Sequence, residues 1–265
     1  MQLAVIGKAS LGGETASSGN TLRTSLRLAC CKDPAGNDEK WANCWPDGAY
    51  QPYIKGMSSH PLHQLSREPI PGELVPAHYF QPLSSHEMGR PGHPLEIDLG
   101  CGDGSFLMSM AKQYPTHDFI GVERLLGRVR KVCRKAQRQE LHNIKVLRLD
   151  SKYLVEWLLP PKSVSRLHLL CPDPWPKAKH HRRRLIQVEF LKAIKRCLAD
   201  DGEFLFMTDH PEYHEWTHEV LGEFGGFDLL DWNEDSFFYP KTDFQLQWEA
   251  EGKSMMRTRC VKPTT

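Results

Sequence analysis

The chain has 265 residues, 34 Lys and Arg against 33 Asp and Glu, and a formal net charge of +1. With 40% hydrophobic residues it suits one ordinary domain with an appendage, or two small ones. No apolar run approaches the roughly 20 residues of a membrane-spanning helix, and this total charge gives no reason to expect a nucleic-acid partner. The opening stretch, Met1 to Gly12, lacks the n-region and h-region of a secretory signal, which points to the cytoplasm. The eight cysteines show no C-x-x-C spacing, so they read as reduced thiols, mostly packed as small hydrophobes, and not as zinc ligands.

Residues 1–57 lack periodicity and are rich in Gly, Ser, Asn, Asp and Pro, a composition that buries too little apolar surface to offset ordering entropy. They are expected to be a disordered leader, with Trp41, Trp45, Tyr50 and Tyr53 as isolated aromatics in preference to a partner-binding stripe. Met57 is a candidate for the true translation start. Residues 58–93, with six prolines from Pro61 to Pro91, read as an extended connector. From residue 94 to 265, short apolar runs alternate with amphipathic stretches. The spacing predicts strands at 95–99, 118–122, 144–149, 164–171 and 203–208. Helices are predicted at 105–113, 125–140, 152–158, 185–198 and 211–223. Two further strands, 227–232 and 254–261, would be joined by a long loop. Such alternation implies a doubly wound, mostly parallel sheet.

The first of these strands runs into Gly100-Cys101-Gly102-Asp103-Gly104 and then a helix, the position at which a ligand approaches backbone closely. Ser105 stands where a dinucleotide fingerprint would continue towards its third glycine, which disfavours NAD. Asp98 precedes the loop, Glu123 ends the second strand and Asp150 the third, so three acids line one crevice. Helix capping and solvated turns are the bland explanation of each acid alone. As a set they suit a ligand with ribose hydroxyls and positive charge, and not a pyrophosphate. This arrangement resembles a class I S-adenosylmethionine-dependent methyltransferase. The resemblance implies a Rossmann-like α/β fold with a mostly parallel seven-stranded sheet, helices on both faces, and a poorly ordered N-terminal extension. It implies that S-adenosylmethionine is held by Asp98, Gly100, Gly102, Gly104, Glu123, Asp150, Ser151 and Asp173.

The fourth strand leads into Pro172-Asp173-Pro174-Trp175-Pro176-Lys177, then His180-His181-Arg182-Arg183-Arg184. Prolines on both sides of Asp173 stiffen the loop and aim its carboxylate over the crevice. Together with Thr208-Asp209 and Tyr213, this run is similar to the signature of the tRNA (guanine-N7-)-methyltransferases, which methylate guanine 46 in the variable loop. By that resemblance Asp173 is catalytic. Lys177, Asp209, Thr242, Asp243, Phe244 and Gln245 bind substrate, the last standing where the family has Glu. The basic residues Lys179, His181, Arg182, Arg183 and Arg184 are expected to hold tRNA phosphates. The chain would act as a monomer or a homodimer, without metal or membrane.

Two other acceptor classes, another RNA or a small molecule, fit the same donor crevice, and a noncatalytic RNA-binding module fits the basic run. His214-Glu215-Trp216-Thr217-His218 spells the H-E-x-x-H zinc pattern. No third histidine follows, however, and Tyr213, Trp216, Val220 and Leu221 already define the buried helix face. The total of +1 also conceals segregation. From Arg124 to Arg148 nine Lys/Arg face one Glu, and from Lys177 to Arg196 eight face one Glu. From Cys197 to Pro240 there is no Lys or Arg. Local field steers a polyanion, so this pattern predicts a basic docking surface.

Overall fold

The computed structural model describes residues 68–232 and 237–264. The expected leader, its four aromatics and the start at Met57 lie outside them. Eight strands form one sheet: β1 (Glu73–Leu74), β2 (Leu95–Leu99), β3 (Asp118–Val122), β4 (Ile144–Leu147), β5 (Val164–Leu170), β6 (Leu198–Thr208), β7 (Asp228–Leu230) and β8 (Met256–Val261). Their spatial order is β1-β4-β3-β2-β5-β6-β8-β7, and only β8 pairs antiparallel with its neighbours. The chain winds outward from β2 through β3 and β4, then returns to lay β5 against the other side of β2. Such a reversal opens a crevice at the carboxyl ends of the two central strands.

Every residue of β2 and β3 is buried, as expected of parallel strands covered on both faces. One core cluster combines Ile97, Leu99 and Leu167 with Phe190, Phe206 and Tyr213. The other packs α2 (Ser105–Gln113) and α3 (Leu126–Arg138) on β3 and β4 through Met110, Phe119, Val129, Val132 and Val146. α5 (Val188–Cys197) and α6 (Pro211–Phe224) belong to the first cluster, and Pro211 opens α6 where its missing N–H costs nothing.

The sheet has one strand more than the seven expected. Glu73 and Leu74 pair with β4 as an edge strand, and Leu83 and Met88 join the core, so the Pro-rich stretch contributes structure beyond an extended connection. A short helix, α1 (Ser85–Met88), begins there with a capping box between Ser84 and Glu87. The helix expected at 152–158 is a three-residue α-turn, α4 (Ser151–Tyr153), continued by a π-turn (Leu154–Leu158) that buries Leu154, Val155 and Leu158. Strand β6 starts five residues earlier than the spacing implied. The loop expected between the last two strands contains α7 (Asp243–Ala250), capped by Thr242. Cys101, Cys133, Cys171, Cys197 and Cys260 are free thiols. No helix among the described residues is long and apolar enough to cross a membrane.

Candidate active site

A cavity of about 410 Å³ opens at the carboxyl ends of β2, β3 and β5. Its lining brings together Asp98, Gly100, Gly102, Glu123, Asp150, Ser151 and Asp173 from the expected donor set, with Thr242, Asp243 and Phe244 from the expected substrate set. Gly104 is absent from the lining. It caps α2 with φ of 80°, and an added Cβ would stand 2.7 Å from Val132 Cγ1, so this glycine permits helix packing and not ligand contact. Gly100, also at positive φ, has nothing within 4 Å of such a Cβ, and its open side faces the cavity that it lines.

The acids differ in how their charge is met. Asp98 is 3% exposed, and burial without a cation partner raises its carboxyl to about 7. Glu123 accepts a hydrogen bond from the Leu125 N–H at 2.8 Å and faces Arg128 at 3.5 Å. Asp150 caps the turn after it, accepting from the Tyr153 N–H at 3.1 Å. Capping and pocket lining therefore coexist in one carboxylate. Asp103 is held by Lys135, which also donates to the Asp103 carbonyl at 2.9 Å, tying the glycine turn to α3.

The loop after β5 adds Pro172, Asp173 and Trp175 to the lining. Trp175 has φ of 45°, a costly conformation for an aromatic residue. Two side chains pack against it. Arg183 lies over the indole at 4.8 Å, and the His180 ring meets it edge-on. Arg184 corrects an expectation. Its side chain is fully buried, donating through Nε to the Pro174 carbonyl at 2.9 Å and through Nη2 to Glu212 at 3.2 Å. It braces the loop from within, turned away from solvent. His181 likewise lies 3.1 Å from Glu212. Lys179 and Arg182 remain exposed.

Lys177, Asp209 and Gln245 lie outside the lining. Gln245 is turned into its own helix: its backbone N–H donates to the capping Thr242 hydroxyl at 3.0 Å and its side-chain amide to Glu249 at 2.7 Å. Asp209 sits near Cys171, whose thiol burial and that aspartate push up to about 12.

Sequence reasoning missed the support beneath the site. Glu96, two residues before Asp98 and so on the same face of β2, is 1% exposed. It accepts from His117 Nδ1 and His168 Nε2, each at 2.8 Å. A carboxylate only accepts, so His168 carries its proton on Nε2 and its Nδ1 accepts the Tyr239 O–H at 2.9 Å. Burial lowers the His168 pKa, keeping the ring neutral at pH 7. Tyr239 also packs on Phe106, a lining residue, at 4.9 Å. The segment leading to Thr242 is thus pinned to the central strands. A Glu and a His inside two central strands were the available signal.

The H-E-x-x-H residues are accounted for differently. His214 and His218 both direct Nε2 at the Thr258 hydroxyl of β8, at 3.2 and 3.1 Å. Among the described residues no three His, Cys, Asp or Glu could share a metal ion.

The doubly wound sheet, the cavity at its switch point and the acid-lined glycine turn are those of an S-adenosylmethionine-dependent methyltransferase. A family model described as "Putative methyltransferase" matches residues 92–258. The crystal structure of the 16S rRNA methyltransferase KamB superposes with a TM-score of 0.52 at 19% identity, covering 69% of this chain and 95% of that one, a likeness of fold. Two relatives carry the finer resemblance, both named tRNA (guanine-N(7)-)-methyltransferase. That of Nitrobacter hamburgensis is 32% identical over 77% of this chain and 78% of its own. That of Rhodopseudomonas palustris strain BisB18 is 32% identical over 83% and 90%. The chain belongs to the tRNA (guanine-N(7)-)-methyltransferase family.

The residues fit the donor on an observation of their own. A buried carboxylate with no cation beside it, Asp98, lies below a turn open to ligand, and the lining adds further acids. An ammonium-bearing ligand satisfies that carboxylate.

Proposed function

We propose that this protein methylates N7 of guanine 46 in the variable loop of tRNA, in the cytoplasm, with Asp173 as the catalytic residue. The observation that carries the reading is one cavity lined by Asp98, Glu123 and Asp150 together with Asp173, Thr242 and Asp243. Bound there, S-adenosylmethionine supplies an electrophilic methyl on a cationic sulfur. Asp98 holds its ammonium, Glu123 its ribose hydroxyls, and Asp150 with Ser151 its adenine. N7 of guanine has a lone pair and no proton to lose, so the protein's task is positioning and electrostatics. Asp173 accepts from the N1/N2 edge of the guanine and stabilises the positive charge that grows on the ring. Its loop is stiff enough for this, being braced by Arg184 and Trp175.

Nucleoside mapping of tRNA after incubation with protein and donor should find 7-methylguanosine at position 46, and none in tRNA with adenine at that position. Asp173→Ala should lower single-turnover rates at least about a hundredfold while donor affinity stays within about threefold. Methylation at another nucleotide, or normal rates in the variant, overturns the assignment.

A further inference from the structure

We infer that the solvent face of α3 is a docking track for tRNA phosphates, leading away from the cavity. This rests on the reading that tRNA is the acceptor. The buried side of the helix is Val129, Val132, Cys133 and Ala136, with Arg130 buried at its margin. Arg128, Lys131, Arg134 and Arg138 recur at intervals of three and four on the opposite side, one stripe along about 15 Å of axis. All four are exposed, and Arg124 precedes them just before the helix. Arg124 and Arg128 line the cavity, so the stripe begins where the acceptor enters.

Solvated helix faces ordinarily alternate charge signs, gaining from pairs three or four apart. Here the helix contains no acid at all. Lys131, Arg134 and Arg138 make no ion pair or side-chain hydrogen bond among the described residues. Like charges at such intervals destabilise an isolated helix by a few tenths of a kcal/mol each. A polyanion laid along the stripe offsets that repulsion. The other basic run cannot supply the whole footprint, since Arg184 is buried, Arg183 covers Trp175 and His181 faces Glu212. Arg183 is exposed but lies over that indole, which leaves Lys177, Lys179 and Arg182 as the exposed cations there with no ring or acid partner among the described residues. The α3 stripe provides a second, longer contact, of a kind that recognises backbone and not sequence.

The test is the triple variant Lys131→Glu, Arg134→Glu, Arg138→Glu in the full chain, assayed for tRNA methylation and for tRNA binding across salt concentrations. KM for tRNA should rise about 10-fold to 100-fold. The slope of log affinity against log salt should shrink by about two to three, one unit or slightly less per lost phosphate contact. Donor affinity by calorimetry should be unchanged, which also shows that the variant folds. Lys162→Glu, at the amino-terminal end of β5 and so across the sheet from the cavity, alters total charge as much as Arg134→Glu alone; it should move KM less than twofold. A triple variant with wild-type KM and salt slope overturns the track while leaving N7 methylation intact. Equal effects of Lys162→Glu and Arg134→Glu overturn it too, because total charge would then explain the loss. A wild-type chain that neither binds nor methylates tRNA overturns both this inference and the reading beneath it.

Discussion

The buried carboxylate of Asp98 makes donor binding a proton-linked event. Without a cation beside it, burial raises its pKa to about 7, so about a tenth of the ligand-free protein has it ionised at pH 6 and about half at pH 7. A ligand ammonium selects the ionised form. Affinity should therefore rise about fivefold from pH 6 to pH 7, with about half a proton released per ligand bound at pH 7. Above pH 7 the gain flattens, because the carboxylate is then already mostly ionised. Calorimetry with S-adenosylhomocysteine, which keeps the ammonium, measures both quantities when repeated in buffers of different ionisation enthalpy. The sign is opposite for ligand-free stability: an unfolded Asp ionises near 4, so folding loses ground as pH rises from about 4 to about 7. Asp98→Asn should remove that loss, at most about 4 kcal/mol, and raise the ligand-free melting temperature at pH 8 while weakening binding. Equal affinities at pH 6 and 7 with no proton released would refute the reasoning.

Glu96 behaves in the opposite sense. Burial works to raise its pKa, but hydrogen bonds from His117 and His168 and the Arg166 charge outweigh it and hold the group at about 2. Its stabilisation, about 3 kcal/mol, is present above pH 4.5 and lost as pH falls towards 2, so Glu96→Gln should flatten the acid limb of a urea-denaturation series against pH. Gly104→Ala meets Val132 at 2.7 Å and should cost about 2 kcal/mol or more in denaturant midpoint. Gly100→Ala, with open space, should cost about 1 kcal/mol and instead weaken donor binding; reversed rankings would contradict the division of labour between the two glycines. Tyr239→Phe leaves His168 Nδ1 without its donor and frees the segment before Thr242, so KM for tRNA should rise severalfold with folding intact, and an unchanged KM would deny Tyr239 that positioning role.

Where apolar runs are bounded by glycine and polar turns, the sequence was readable almost to the residue. β2, α2 and β3 lie at the expected bounds because buried parallel strands and a helix on a glycine turn each carry a strong local pattern. α7 was hidden because its amphipathicity is inverted: Phe244 and Leu246 are exposed while Gln245 is buried. β1 was hidden because two residues cannot display a period, and β6 began early because Leu198 pairs with Val164 ahead of a bulge at 199–202, whose two aspartates give no strand signal. That Asp98, Glu123 and Asp150 share one cavity was legible from strand ends alone. Arg184 was misread because a basic run in sequence carries no mark of which member turns inward, and Glu96 with His168 and Tyr239 unite residues far apart along the chain.

The pinning of Tyr239 to His168 and Glu96 has a consequence for how the pocket comes into being. Its floor, from Asp98 to Asp150, is laid down early in synthesis, whereas the wall at Thr242 to Phe244 emerges near the end and is carried to the central strands by a tyrosine that must find a buried histidine. A nascent chain displaying only the floor has an open trough of acids without its substrate-facing side. Closure of the cavity thus waits on a contact between residues 71 apart in the chain.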